Sequence, residues 1–155
     1  MIEDIKINRI NDKFYQINVK DNDKFKMLNV TLKNCYVPFG VEEYNKKYYL
    51  NFETDDEEFI KLVRYLERNL NSLLETDEKF DLKSVFHKKK NYNLLCKSHF
   101  KKNDNMIISK YIVDKKEMSI FDIESKKKYN LELEVSGIWI YKMTYGIILN
   151  IVKIF

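Results

Sequence analysis

Residues 47–74, KYYLNFETDDEEFIKLVRYLERNLNSLL, change their hydrophobic period partway along, and this change decides the fold. Apolar and polar positions alternate over residues 47–53, which is typical of a half-buried β-strand. In the second half the apolar residues recur every three or four positions and form a single stripe, which indicates an amphipathic helix. We predict a strand over 47–53 and a helix over about 55–74, with Asp55 and Glu58 spaced as its capping box.

Alternating segments on both sides of this helix predict further strands. Before it lie FYQINVK (14–20) and MLNVTLKNCYV (27–37). After it lie YNLLCKSHFK (92–101), MIISKYIV (106–113), YNLELEV (129–135), GIWIYKM (137–143) and GIILNIVKIF (146–155), the last with Gly146 as a turn or bulge. Three strands, one helix and several more strands is also the order of an OB-fold, whose helix lies between its third and fourth strands. We therefore expect one mostly β domain over residues 1–155, an OB-fold-like small barrel with one amphipathic helix and extra hairpins.

The composition limits the classes of protein to which the chain can belong. Its 155 residues are 45% hydrophobic and 14% aromatic, which is enough for a core and too much for a disordered chain. The net charge of +4 permits a polyanionic partner. Cys35 and Cys96 lack the spacing of a metal site or a disulfide framework, so we expect a reducing compartment and no cofactor. No signal peptide and no bilayer-length apolar run is recognisable, so we expect a soluble, intracellular protein without a membrane partner.

Turn-forming residues are scarce in this chain, and they concentrate after the second predicted strand. The sequence has one proline and three glycines, and two of these four, Pro38 and Gly40, flank Phe39. Proline is excluded from a central strand and glycine readily adopts positive φ, so a turn is predicted here. The aromatic residues beside this turn, Phe39 and Tyr44 among them, either pack in the core or stack on a ligand.

Two short blocks of sequence resemble a known family. The blocks are VPFGVEEYNKKYYLNFE (37–53) and SGIWIYKMTYGIILNIVKI (136–154). They are similar to the single-stranded DNA-binding proteins of phages and large DNA viruses, an OB-fold replication family, at Val37, Pro38, Phe39, Gly40, Tyr44, Gly137, Trp139, Tyr145, Gly146 and Ile147. The resemblance implies cooperative coating of single strands during replication or recombination, without catalysis. It also implies a viral protein with replication proteins as further partners, and it allows a homo-oligomer.

A basic stretch gives an independent indication of nucleic-acid binding. Residues 83–102 contain seven lysines and both histidines, but no acidic residue. A groove for single strands needs cations for the phosphates and flat aromatic faces for the bases. In the predicted strand, Lys97, His99 and Lys101 share one face, and Cys96 lies on the other. The alternative is an ordinary solvated basic loop.

These patterns predict a set of nucleic-acid-binding residues. In the third strand, Lys47 and Tyr49 have the outward phase, whereas Tyr48 has the inward phase and is expected in the core. Trp139 is also expected in the core, because its strand is apolar on both faces. The predicted contacts are Phe39, Tyr44, Lys47, Tyr49, Lys88, Lys89, Lys90, Lys97, His99, Lys101 and Lys102.

Two other functions remain open at this point, and the ligand itself is not fully defined. Asp114, Glu124 and Lys126 could supply the acids and the lysine of a small metal-dependent nuclease. A structural or host-interaction module, in which every aromatic residue serves packing, is the other alternative. The patterns do not separate single-stranded DNA from RNA, because backbone charge and base stacking are common to both.

Overall fold

The computed structural model describes residues 4–155, and it is mostly β. Strands make up 56% of the protein. In the described part of the chain, one helix is seven or more residues long, and it has 12 residues. The predicted fold class, mostly β with one amphipathic helix, is therefore confirmed. No helix in the described part of the chain combines the length and the apolar character needed to cross a membrane.

The strands and helices have the following bounds. The strands are β1 (Ile5–Asn11), β2 (Phe14–Asp21), β3 (Lys24–Lys26), β4 (Leu28–Val37), β5 (Glu42–Tyr44), β6 (Lys47–Glu53), β7 (Asp81–Leu82), β8 (Phe86–His87), β9 (Leu95–Phe100), β10 (Lys102–Asn103), β11 (Met106–Ile107), β12 (Lys110–Val113), β13 (Lys116–Met118), β14 (Lys127–Tyr141) and β15 (Thr144–Ile154). The helices are α1 (Glu57–Arg68), α2 (Leu70–Leu73) and a short 3-10 helix (Ile120–Asp122).

Thirteen of these strands are hydrogen-bonded into one sheet, and part of the sheet closes on itself. The order is β1-β2-β14-β4-β6-β9-β15-β12-β13, and β14 also pairs with β15. The strands β14, β4, β6, β9 and β15 therefore form a barrel-like ring of five. Numbered along the chain, the first four ring strands lie in the order 4-1-2-3, which is the strand order of a Greek key. Within the ring, β6 is antiparallel to β4 and β9, whereas β9 is parallel to β15.

The helix α1 lies between the second and third ring strands, not between the third and fourth. The reason is that the first predicted strand, 14–20, is real but lies outside the ring: it is β2, which pairs with β1, β3 and β14. The ring therefore begins one strand later than the sequence order suggested.

The chain forms two compact units, and the prediction of a single domain stays a prediction. Among the described residues, the first unit comprises 4–28, 56–85 and 135–148. Its helix α1 begins one residue later than the predicted capping box, because Asp56 accepts the hydrogen bond from the Phe59 N–H at 2.9 Å. The predicted helix is interrupted at Asn69, whose side-chain amide donates to the Tyr65 carbonyl at 2.7 Å.

Gly146 lies inside β15 of this unit and not in a turn. A Cβ atom at this position would lie 2.7 Å from the Lys83 carbonyl oxygen and 2.8 Å from Trp139 Nε1. Only a glycine allows the close approach of these groups. Trp139 is half-buried, so the expectation of a core tryptophan holds only in part.

The second unit comprises residues 29–55, 86–134 and 149–155, and it contains most of the predicted nucleic-acid contacts. Its core includes Leu50, Phe52, Leu95 and Cys96, all fully buried. The chain turns after β4 as predicted, with Gly40 at a φ of 67°, in the left-handed region that favours glycine. It then enters β5, which pairs with β6 and adds a strand at the edge of the site.

Candidate nucleic-acid interface

The pairing of β6 with β9 brings residues distant in sequence onto one face. Tyr49 lies directly opposite His99, and Asn51 lies directly opposite Lys97. Opposite residues of an antiparallel pair, and alternate residues of a strand, project to the same side. Lys97 Nζ lies 4.3 Å from the centre of the Tyr49 ring, and the ring centres of Tyr49 and His99 are 6.3 Å apart. We call these four residues the β6–β9 patch.

The other face of the same two strands belongs to the core. Cys96, Ser98 and Phe100 are buried, whereas Lys97 and His99 between them are half-buried. This alternation is the one that the sequence predicted for β9. The outward placement of Lys97 and His99 therefore follows from the period of the strand.

His99 is a neutral ring at neutral pH and not a cation. Burial, together with the positive charges of Lys97 and Lys47, lowers the pKa of His99 to about 4. The imidazole therefore adds a flat polar surface beside Tyr49. The positive charge near these rings comes from the lysines.

Acidic side chains approach the β6–β9 patch from neighbouring strands. Glu42 of β5 lies opposite Tyr49, and its Oε2 accepts a hydrogen bond of 2.7 Å from Asn51 Nδ2. Burial, and secondarily the charge of Glu42, raises the pKa of the Tyr49 hydroxyl. At the far end of β6, Glu53 accepts a hydrogen bond of 2.9 Å from the Asn93 N–H. The stretch that is free of acids in sequence is therefore not free of acids in space.

Lys101 has a different environment from Lys97, which the sequence did not indicate. Its Nζ lies 2.8 Å from Glu134 Oε2, with side-chain exposures of 33% for Lys101 and 9% for Glu134. The sequence grouped Lys101 with the outward cations because its position continues the period of β9. Glu134, distant in sequence, forms an ion pair with this ammonium, and the assignment of Lys101 as a nucleic-acid contact stays a prediction.

A second cluster combines an aromatic pair with a lysine next to the turn after β4. The rings of Phe39 and Tyr92 meet edge to face with their centres 5.1 Å apart. Lys89 Nζ lies 4.5 Å from the centre of the Phe39 ring. We call Phe39, Lys89 and Tyr92 the Phe39 cluster. Lys88 and Lys90 flank Lys89 in an exposed segment between β8 and β9.

The remaining predicted contacts lie around the start of β6. Lys47 is exposed and pairs with Tyr44 of β5, whose side chain is 69% exposed. Lys102 donates from Nζ to the Lys46 carbonyl at 3.0 Å, and this Nζ lies 6.0 Å from the centre of the Tyr48 ring. Tyr48 itself is half-buried, so the expectation of a core position holds only in part.

Sequence reasoning missed two members of this site, Asn51 and Glu42. Alternation places Asn51 on the same outward face as Tyr49, since it lies two residues further along β6. An asparagine in a strand, however, does not by itself indicate a binding site. Glu42 could not be identified, because β5 is only three residues long and its pairing with β6 is a tertiary fact.

The residues of the nuclease alternative have local structural explanations. Asp114 lies in the turn between β12 and β13 with a φ of 49°, a conformation that aspartate tolerates better than most residues. Glu124 forms an ion pair with Lys127. Among residues 4–155, no group of three or more His, Cys, Asp or Glu side chains is arranged to hold a metal ion.

Comparison of the chain with protein-family models found no match, and comparison with curated proteins found none either.

Proposed function

We propose that this protein binds and coats single-stranded DNA without catalysing a reaction on it. The observation that carries the proposal is the Lys97 ammonium beside the half-exposed ring of Tyr49, on the outward face of β6 and β9. A single strand presents a phosphate and a base in each nucleotide. A lysine next to an aromatic ring offers one partner for each of them.

The energetics favour such an arrangement for a ligand of any sequence. Stacking of one base on an aromatic side chain is worth ~1–3 kcal/mol, and every base has a face that can stack. Each lysine that neutralises a phosphate releases counterions and adds a salt-dependent contribution to the binding free energy. The Phe39 cluster repeats the same combination, with Lys89 beside Phe39.

The position of the site in the ring of strands supports the same function. OB-folds are five-stranded Greek-key barrels that bind oligonucleotides on the face of their second and third strands and with the loop between the first two. In this protein β6 and β9 are the second and third ring strands, and Phe39 lies in the connection between the first two. This support rests on an analogy of fold. The argument from the side chains of the site is independent of it.

The test is a fluorescence anisotropy titration with labelled single-stranded and duplex oligonucleotides of equal length. We expect tighter binding of the single strand, and an affinity that falls as salt rises with a logarithmic slope of about −0.7 per phosphate contact. Equal affinity for the duplex, or an affinity that does not depend on salt, would contradict the proposal.

The same samples separate the alternatives. Cleavage of either oligonucleotide with magnesium or manganese would favour the nuclease. A lack of affinity for any polynucleotide would favour the structural or host-interaction module. A matched RNA strand shows whether DNA is preferred.

A further inference from the structure

The β6–β9 patch contains a buried hydrogen-bond acceptor that has no donor among residues 4–155. Asn51 is 7% exposed, and its Nδ2 donates to Glu42 Oε2 at 2.7 Å. Its Oδ1 is buried and has no hydrogen-bond partner among the residues that the structure describes. Buried polar atoms are nearly always paired in folded proteins, so an unpaired one requires an explanation.

The orientation of the Asn51 amide is determined by its neighbour. If the amide were flipped, Oδ1 would face the carboxylate of Glu42, and two acceptors would be in contact. The Glu42 carboxylate therefore holds the amide nitrogen and leaves the carbonyl oxygen as the unpaired atom. The missing hydrogen bond of Oδ1 is therefore not the result of exchanging the oxygen and nitrogen positions of the amide.

The position of Asn51 relates this acceptor to the stacking site. Asn51 lies two residues from Tyr49 on the same face of β6 and directly opposite Lys97. The Lys97 ammonium lies 4.3 Å from the centre of the Tyr49 ring. A base that stacks on this face of the ring has to replace the ammonium there. Because Asn51 is two positions along β6 on the same face, we place the edge of the stacked base beside it.

On the basis of the proposed function, we propose that Asn51 selects bases at this site by accepting a hydrogen bond on Oδ1 from the exocyclic amino group of a base stacked on Tyr49. Adenine and cytosine carry such an amino group, whereas thymine presents a carbonyl oxygen in the same place. The Oδ1 atom and the nearby Glu42 carboxylate attract an amino group and repel a carbonyl. The site therefore prefers amino-bearing bases, and oligo-dT is a poor ligand at this position.

The experiment measures the affinities of wild-type protein and of Asn51→Leu for oligo-dC and oligo-dT of 15 nucleotides each, at equal salt and pH 7.5. We expect the wild type to bind oligo-dC about two- to tenfold more tightly, the range for one hydrogen bond. In Asn51→Leu the two affinities become equal. Asn71→Leu is the matched control: Asn71 also has a buried, unpaired Oδ1 but lies in the other compact unit, so this variant keeps the wild-type preference.

A change in the ligand tests the same contact without a change in the protein. Oligo-dC built from N4,N4-dimethylcytosine lacks both amino hydrogens, and we expect wild-type protein to bind it more weakly than unmodified oligo-dC. If Asn51→Leu does not fold, the comparison of modified and unmodified oligo-dC still tests whether the amino group of the base contributes to binding.

Several results would overturn the inference while the proposed function stands. These are equal binding of oligo-dC and oligo-dT by the wild type, an unchanged preference in Asn51→Leu, or equal binding of the modified oligonucleotide. An unchanged preference would mean that Asn51 has only a structural role, such as holding a buried water. If no single strand binds the wild type, the proposed function and the inference both fail.

Discussion

Two lysines at opposite ends of β9 have different environments, although the sequence places them on one face. Lys97 lies near the start of the strand, with its ammonium next to the exposed side of Tyr49. Lys101 directly follows the strand, and its ammonium is paired with the buried carboxylate of Glu134. Period-two alternation gives both the same direction. The residues that neighbouring strands contribute therefore give the two lysines different surroundings.

The different environments of Lys97 and Lys101 have different energetic consequences: one lysine matters more for binding and the other more for folding. A partly exposed ammonium next to an aromatic ring contributes little to stability, roughly 0.5–1 kcal/mol. An ion pair with a buried member is costly to break, because the remaining charge is left in a poorly solvated place. We therefore expect the Lys97 end to govern binding and the Lys101 end to govern stability.

The largest expected effect comes from breaking the ion pair at the Lys101 end. Lys101→Met removes the lysine cation beside the buried Glu134 carboxylate, and we expect a loss of ~3–5 kcal/mol in the free energy of unfolding. Lys97→Met is the comparison variant at the other end of β9, and we expect it to lose less, since the contact of Lys97 with the Tyr49 ring is worth roughly 0.5–1 kcal/mol. Urea denaturation of both variants measures the difference. Equal losses would show that the two ends of β9 are energetically alike.

Acidification acts on His99, which lies between the two lysines. Its pKa is lowered from 6.5 to about 4 in the folded protein, so the unfolded chain takes up a proton first as the pH falls. The contribution to stability is present above pH 6.5 and is lost as the pH falls towards 4, amounting to about 3 kcal/mol.

The comparison of wild-type protein with His99→Gln isolates this contribution from that of the carboxylates. Denaturant unfolding between pH 4.5 and 7.5 should give a shallower pH dependence for the variant. Parallel curves for the two proteins would mean that His99 titrates normally in the folded state.

Removal of the Tyr49 ring tests the binding end directly. Tyr49→Ala should lose ~1–3 kcal/mol of binding free energy for a single strand, the value of one stacked base. Tyr48→Ala is the matched control, because Tyr48 is also half-buried but points to the opposite face and packs against Phe121. Anisotropy titrations compare the two variants. If Tyr48→Ala weakens binding and Tyr49→Ala does not, the outward face has been misassigned.

The smallest expected effect is a change in salt dependence at the Lys97 end. Lys97→Ala should reduce the salt slope of single-strand binding by about 0.7–1, the contribution of one phosphate contact. Lys101→Met, measured where it is fully folded, should leave the slope unchanged because its ammonium is already paired with Glu134. The reverse result would place the phosphate contact at the other end of β9.

Much of the strand pattern could be predicted because alternation is local. The predicted strands 14–20, 27–37 and 47–53 agree with β2, β4 and β6 to within one residue at each end. The sequence predicts two strands in the region from 129 to 143, at 129–135 and 137–143, with Ser136 between them. In the structure Ser136 and Gly137 are buried inside the single strand β14.

The hairpin turns were harder to recognise from the sequence than the strands, because residues other than glycine occupy their positive-φ positions. Four two-residue turns adopt positive φ at both positions, as type I′ turns do, and their residues are Asn22–Asp23, Asn45–Lys46, Asp114–Lys115 and Lys142–Met143. Asparagine and aspartate tolerate this conformation, whereas lysine and methionine do not indicate it. The pairing of the flanking strands imposes the turn.

The sequence by itself determined which side chains of each strand face outward and where the amphipathic helix lies. Tyr49, Lys97 and His99 could be assigned to outward faces because backbone geometry sends successive side chains to opposite sides. Only the tertiary structure decided that Tyr49 lies opposite His99, that Asn51 lies opposite Lys97, and that Glu134 pairs with Lys101. The physical reason is that alternation depends on neighbouring residues, whereas the register between strands more than 40 residues apart in sequence depends on packing of the whole core.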